Sequence, residues 1–179
     1  MPTYTSGRNL LNLLSRKQVA ENTINNLMTN YLWLVWYRAR NSVGPKHWSL
    51  FMTYDADEQA VGTVYQAEGN GWGTGQFSTN VIHGVQLKGV RGSQSYESRL
   101  YLGEVHDKFN GMLKEYCDAA TDLVNEHNAA RVVGDSNCQD WCLMVIKTLE
   151  DQRCLPPGSF ERARTCPKAG EVRFSICVP

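Results

Sequence analysis

The sequence lacks a net charge, an apolar run long enough to cross a membrane, and any pair of cysteines with CxxC spacing. Its 18 basic residues balance 18 acidic ones, which removes the electrostatic reason for strong binding to nucleic acid or anionic membranes. The longest apolar run, YLWLVWY at residues 31–37, is much shorter than the roughly 20 residues of a transmembrane helix. We therefore expect no membrane span and, in general, no nucleic-acid partner.

A secretory signal is also missing from the first residues, which lack a continuous apolar segment and a small-residue cleavage site. We therefore expect a cytoplasmic protein, in which the six cysteines remain free thiols instead of forming disulfides. The spacings typical of zinc fingers are absent too, so the sequence indicates no metal and no other cofactor. What each cysteine does then depends on the surroundings of its thiol.

Neither a repeat nor a low-complexity block interrupts the chain, and its 179 residues with 42% hydrophobic content suit a single domain. We divide it into an N-terminal helical extension (1–30), a core (31–155) and a C-terminal turn with an edge strand (156–179). Strands are predicted at residues 31–37, 47–54 and 61–68, weaker strands at 80–90 and 98–104, and helices at 108–126 and 137–152. This pattern predicts an α+β fold with an antiparallel sheet packed against helices.

Cys138 stands at the expected start of the second of these helices. Ser136 is followed three residues later by Gln139, the pattern of a capping box, so we expect Ser136 to be the N-cap. A thiol in the first turn meets unpaired N–H groups and the positive end of the helix dipole, which favour its thiolate form. We predict that Cys138 is a nucleophile. Cys142, one turn below, continues the apolar face and is expected in the core.

A thiolate nucleophile needs a base that can later act as an acid, and histidine suits this role at neutral pH. Of the four histidines, His47 opens a strand directly after a Gly-Pro turn, where its side chain can reach a cleft. A hairpin in which Asp55 faces Ala60 sets the strand register. In that register His47 faces Glu68, and Gln66 lies on the same face of the next strand. Either side chain can orient the imidazole as the third member of a triad.

The segments HWSLFMTYD, VYQAEG and NCQDW, in this order, resemble the circularly permuted papain-like cysteine enzymes. That group includes lecithin–retinol acyltransferase-like and permuted NlpC/P60-like proteins, and the chain is also similar to small fungal proteins with an HW…NCQ-W pattern. By motif, the resemblance gives His47 the base position and Cys138 the nucleophile position. Gln66 falls where the acyltransferase-like relatives have a second histidine. Glu68 remains the alternative, because glutamine carries no charge.

The resemblance implies a permuted papain-like (NlpC/P60-like) fold for the core and cysteine-dependent acyl transfer or hydrolysis through a thioester on Cys138. The expected partner is a small-molecule acyl or aminoacyl substrate. We expect four residues to contact that substrate: Trp48, Trp72, Asn137 and Trp141.

Three alternatives stay open. One is aminoacyl transfer and peptide-bond formation in fungal small-molecule biosynthesis, such as cyclodipeptide formation, with an aminoacyl-tRNA donor as the one expected nucleic-acid partner. Another is a non-enzymatic binding module that retains the fold and uses the cleft for recognition. The last is a metal site built from His47, Cys138 and Cys142.

Overall fold

The computed structural model describes residues 29–41, 43–69, 76–106, 109–130 and 136–170. The described residues form five strands and three helices. In chain order they are β1 (Thr29–Tyr37), β2 (Trp48–Thr53), β3 (Val61–Gly69), β4 (Phe77–Gln86), β5 (Tyr96–His106), α1 (Phe109–Ala129), α2 (Cys138–Asp151) and α3 (Ser159–Arg164). The helix expected within residues 1–28 and the C-terminal edge strand expected beyond residue 170 lie outside the described residues.

The five strands form one open antiparallel sheet in the order β4-β3-β2-β1-β5. Between β2 and β3, Leu50 faces Tyr65 and Thr53 faces Gly62. This is the register in which Asp55 faces Ala60, so the predicted hairpin register is confirmed. None of the helices in the described ranges is long and apolar enough to span a membrane. The α+β class and the antiparallel sheet are as the sequence predicted.

Helices α1 and α2 cover one face of the sheet, where the main hydrophobic core forms. Alternation along β1 puts Leu32 and Leu34 on this face, while Val35 belongs to a smaller apolar cluster. From α2 the core takes buried residues at four-residue steps, on the apolar face that the sequence predicted: Trp141, Val145 and Leu149. Burial of this apolar stripe holds the start of α2 at a fixed position over the sheet.

Two expectations about the ends of the core are wrong. Residues 29–30 begin β1 and do not belong to a helical extension, and the C-terminal turn contains a helix, α3. The Glu150 carboxylate on α2 accepts the backbone N–H of Gly158 at 3.1 Å and that of Phe160 at 2.7 Å. These donors at the start of α3 are therefore satisfied from the preceding helix. A partner supplied in this way leaves no local capping signal in the sequence.

Candidate active site

The start of α2 is capped by Asn137. Its side-chain oxygen accepts the N–H of Gln139 at 2.8 Å, and the Asp140 carboxylate accepts the Asn137 N–H at 3.0 Å, which completes a capping box. The predicted N-cap, Ser136, lies one residue too early. The Asn128 side chain bonds the Ser136 backbone at both its N–H (2.8 Å) and its carbonyl (3.1 Å). That long-range contact holds Ser136 outside the helix.

Cys138 is consequently the first residue of α2, and its side chain is partly exposed. The side chain of Asn137 takes the next two N–H groups, those of Gln139 and Asp140. Within the described part of the chain, the backbone N–H of Cys138 has no hydrogen-bond acceptor. The helix therefore offers one free donor beside the sulfur, at the positive end of the helix dipole.

A buried glutamine ties this helix start to the turn that precedes β2. The Gln139 side-chain amide donates to the carbonyl of Lys46 at 2.8 Å and to that of Lys168 at 2.6 Å. Gln139 follows Cys138 in the chain, and Lys46 precedes His47, so the clamp brings the sulfur and the imidazole to the same place. Sequence reasoning assigned Gln139 to capping and missed this role, because its partners are distant in the chain.

The imidazole of His47 is held on two sides. Its Nε2 atom lies 2.9 Å from Oε1 of Gln66. Its ring stacks on the ring of Tyr37, with 5.5 Å between the ring centroids and 30° between the planes. The hydroxyl of Tyr37 in turn lies 3.2 Å from Oγ of Ser49. The position and tilt of the imidazole are therefore set by neighbours on β1 and β3.

The pKa of His47 reports its contact with Cys138. Burial alone lowers this pKa, because it disfavours the charged ring. A hydrogen bond to the Cys138 side chain and the charge of that group raise it, as does the bond to Gln66, while the charge of Arg40 lowers it. The contributions that raise the pKa are together larger than those that lower it, so the pKa of His47 lies above its ordinary value of 6.5. The Cys138 side chain therefore lies near enough to the imidazole to act on its pKa.

Of the two residues considered for orienting His47, the structure puts Gln66 against the ring. Glu68 is exposed, and its carboxylate accepts a hydrogen bond from the Asn80 side chain at 2.8 Å. The paired rungs between β2 and β3 stop at Leu50, before the position of His47 is reached. Beyond the ladder, the imidazole meets the diagonal neighbour instead of the residue directly opposite. The expectation for Glu68 is therefore wrong.

The two tryptophans expected to contact substrate are core residues. Trp48 and Trp141 are each 0% exposed. The Trp48 indole donates to the carbonyl of Pro167 at 3.0 Å, and the Trp141 indole donates to the carbonyl of Cys117 at 3.1 Å. Buried and satisfied in this way, neither ring can meet a ligand, so both expectations are wrong.

The other two residues expected to contact substrate differ from the tryptophans. Asn137 is exposed and lies next to Cys138, where its side-chain oxygen serves as the helix cap. Trp72 lies outside the described residues. Among the three of these residues that the structure describes, Asn137 is therefore the one that is accessible beside the sulfur.

The cysteine one turn below the candidate nucleophile is a core residue, as predicted. Cys142 is 0% exposed, and burial holds its pKa well above the ordinary value. Within the ranges described here, no three His, Cys, Asp or Glu side chains are grouped as metal ligands. The metal site considered for His47, Cys138 and Cys142 is therefore not found there.

A cavity of about 560 Å³ opens beside His47 and Gln66. Arg38 and Arg40, which follow β1, form part of its wall. Sequence reasoning did not single out either arginine. The available signal was that both arginines follow a buried strand and precede His47 in the chain. Nothing in the local pattern distinguishes them from solvated surface charges.

These features define an α+β protein with an open antiparallel sheet and a cysteine–histidine pair where a helix start meets a strand start. The chain belongs to a family of unknown function, DUF6540, which matches residues 32–156. The matched range contains His47, Gln66 and Cys138. Neither the curated proteins nor the solved structures compared with the chain gave a match.

Proposed function

We propose that this protein is a cysteine-dependent acyl-transfer enzyme of the circularly permuted papain-like type. Cys138 is its nucleophile, His47 its general base and Gln66 the residue that positions the imidazole. The observation that carries the proposal is one imidazole that lies 2.9 Å from Oε1 of Gln66 and near enough to the Cys138 side chain for that side chain to raise its pKa. The order of the three residues, on the start of β2, on β3 and on the start of α2, supports the permuted papain-like assignment.

Gln66 determines which ring nitrogen serves as the base. Oε1 is an acceptor, so Nε2 of His47 carries a proton and donates it to this bond. The lone pair of Nδ1 is then available for the proton of the Cys138 thiol. Because glutamine is neutral, it fixes the tautomer and the orientation without competing for that proton.

In the first half-reaction the Cys138 sulfur transfers its proton to His47 and attacks the carbonyl carbon of the acyl donor. A C–S bond forms, and the carbonyl electron pair moves onto oxygen. The free N–H of Cys138 and the dipole of α2 stabilise that oxyanion. When the tetrahedral species collapses, the bond to the leaving group breaks and the imidazolium of His47 protonates it. A thioester remains on Cys138.

In the second half-reaction His47 removes a proton from the acceptor, which is water or an amine. The acceptor attacks the thioester carbonyl, and the C–S bond breaks. The sulfur leaves as a thiolate and recovers its proton from the imidazolium, which regenerates the starting pair. Transfer to water is hydrolysis, and transfer to an amine forms an amide bond.

Trapping of the covalent intermediate tests this proposal. Wild-type protein is incubated with a panel of acyl and aminoacyl thioesters, and the acylated cysteine is located by mass spectrometry. We expect an adduct on Cys138 that is absent in Cys138→Ala and unchanged in Cys154→Ala, which removes another partly exposed thiol. Absence of any adduct across the panel, together with ordinary reactivity of Cys138 towards iodoacetamide, would favour a binding module over an enzyme.

A further inference from the structure

The cavity beside His47 has a size typical of small-molecule sites. Its volume of about 560 Å³ lies within the range of roughly 300–1,000 Å³ that such pockets occupy. Its described lining includes Arg38 and Arg40 but no aspartate or glutamate. The cavity is therefore positively charged in a chain whose overall charge is zero.

Neither of these arginines has a carboxylate partner within the described residues, where the ion pairs join other side chains. Two other described arginines, Arg99 and Arg164, do have partners. The guanidinium of Arg99 lies 3.8 Å from the centre of the Trp33 ring, and Arg164 pairs with Glu161 at 3.2 Å. Two arginines that line one cavity and have no carboxylate partner among the described residues form a ready site for an oxyanion, which arginine binds in bidentate geometry.

The backbone that carries the two arginines is held in place before any ligand arrives. The N–H of Arg38 donates to the carbonyl of Ser95 at 2.8 Å. Further along the turn, the Asn41 side chain accepts the N–H of Val43 at 3.2 Å, and the carbonyl of Gly44 accepts the N–H of Gly170 at 3.0 Å. A fixed turn of this kind lowers the conformational cost of binding.

Another part of the cavity lining, on β3 and β4, is apolar. It consists of Val64 on β3 together with Ile82 and Val85 on β4. A ligand that fills the cavity therefore has a charged end towards the arginines and a hydrocarbon part towards these strands. Cys138 is not among the lining residues. The part of the ligand in the cavity is therefore separated from the sulfur by the imidazole of His47.

We infer that this cavity binds the anionic group of the substrate, a carboxylate or a phosphate, with an apolar part of the same molecule lying against β3 and β4. The binding of an amphipathic anion stands on the arginines and the apolar wall alone. Its assignment to the substrate rests on the function proposed above.

Isothermal titration calorimetry with three matched probes tests the inference: hexanoate, hexyl phosphate and the neutral hexanamide. None of them is an activated acyl donor, so wild-type protein is used. We expect both anions to bind, and hexanamide to bind at least about tenfold more weakly, since one charge-assisted hydrogen bond is sufficient for such a difference. The tighter of the two anions identifies the preferred headgroup, and either order supports the inference.

Variants locate the binding. Arg38→Gln and Arg40→Gln each weaken hexanoate binding about tenfold, and Arg153→Gln, an exposed arginine at the far end of α2, leaves it unchanged. Both cavity arginines are exposed, so the fold is expected to persist, which an unchanged melting temperature verifies. Equal binding of hexanamide and hexanoate, or an equal loss in Arg153→Gln, overturns the inference.

The result is separable from the catalytic proposal, because calorimetry of these probes requires no reaction. If anions bind but Cys138 is unreactive, the cavity is an anion site and the proposal of an enzyme is rejected. The assignment of the anion to a substrate is then lost as well. Thioester formation on Cys138 without binding of any anionic probe rejects this inference and leaves the enzyme intact.

Discussion

Nε2 of His47 lies 2.9 Å from Oε1 of Gln66, and the neighbouring Cys138 side chain raises the pKa of the same imidazole. The residue that precedes β2, a residue of β3 and the first residue of α2 thus lie near one another. The arrangement gives the imidazole a neutral partner on one nitrogen and leaves the other for the thiol. Each of these contacts has a measurable consequence.

The cysteines should react with iodoacetamide in a definite order. We expect Cys138 to be labelled first, because its sulfur is partly exposed and lies beside a base, His47. Burial raises the pKa of Cys154 and that of Cys166, so these thiols react later and need a higher pH. Cys117 and Cys142 are 0% exposed and should react only after unfolding. Mass spectrometry after limiting alkylation measures the order, and earlier labelling of Cys154 than of Cys138 would contradict it.

The titration of His47, followed by NMR, should have a midpoint above the ordinary value of 6.5. Cys138→Ala removes the main contribution that raises the pKa of His47, and Gln66→Ala removes a smaller one. Each variant should therefore lower the midpoint, because burial of the ring lowers the pKa. Arg40→Gln serves as a control of opposite sign, because loss of a nearby positive charge raises the midpoint. A titration unaffected by Cys138→Ala would show that the thiol and the imidazole do not interact in solution.

Gln66 and Glu68 should differ sharply when each is replaced by alanine. Gln66→Ala frees the imidazole to rotate, and we expect a loss of about 10²-fold in the rate of Cys138 acylation, the usual cost of a misplaced catalytic group. Glu68→Ala removes only an exposed hydrogen bond to Asn80 and should leave that rate nearly unchanged. Comparable losses in the two variants would refute the assignment of Gln66 as the positioning residue.

Removal of the Gln139 clamp should reduce both stability and reactivity. In Gln139→Ala the carbonyls of Lys46 and Lys168 lose their buried donor, which costs about 1–3 kcal/mol in the free energy of unfolding. The helix start is then free to shift away from His47, so alkylation of Cys138 slows as well. Urea denaturation and alkylation rates measure the two effects.

Gln139→Glu is the matched variant for the clamp. It keeps the size of the side chain but presents a carboxylate to two carbonyl oxygens, so it should be at least as destabilising as alanine. If Gln139→Glu were as stable as the wild type, the hydrogen bonds to the two carbonyls would not hold the site together.

Local patterns in the sequence were sufficient to predict much of the fold and the key pair of the site. Runs rich in aromatic and branched residues and bounded by turns predicted β1 and β3, and apolar residues at three- and four-residue steps predicted α1 and α2, all close to their observed limits. The turn between β2 and β3 predicted their register, which placed Gln66 and Glu68 on the strand facing His47. The capping pattern of Ser136 and Gln139 predicted a sulfur in the first turn of a helix, although the cap itself is Asn137. Each of these signals lies within a few residues of the feature it predicts.

By itself, therefore, the sequence determined the α+β elements, the hairpin register and the chemical types of the candidate site. Only the tertiary structure decided that Asn137 caps α2, that Gln66 and not Glu68 contacts the imidazole, and that Trp48 and Trp141 are buried. It also decided that two arginines share a cavity with His47. For Gln66 and the two tryptophans the physical reason is the same: the deciding contact or burial comes from residues distant in the chain, and such contacts leave no periodic trace in the sequence around the residue they affect. The cap bonds of Asn137 are local, but the Asn128 side chain that holds Ser136 outside the helix belongs to the preceding helix.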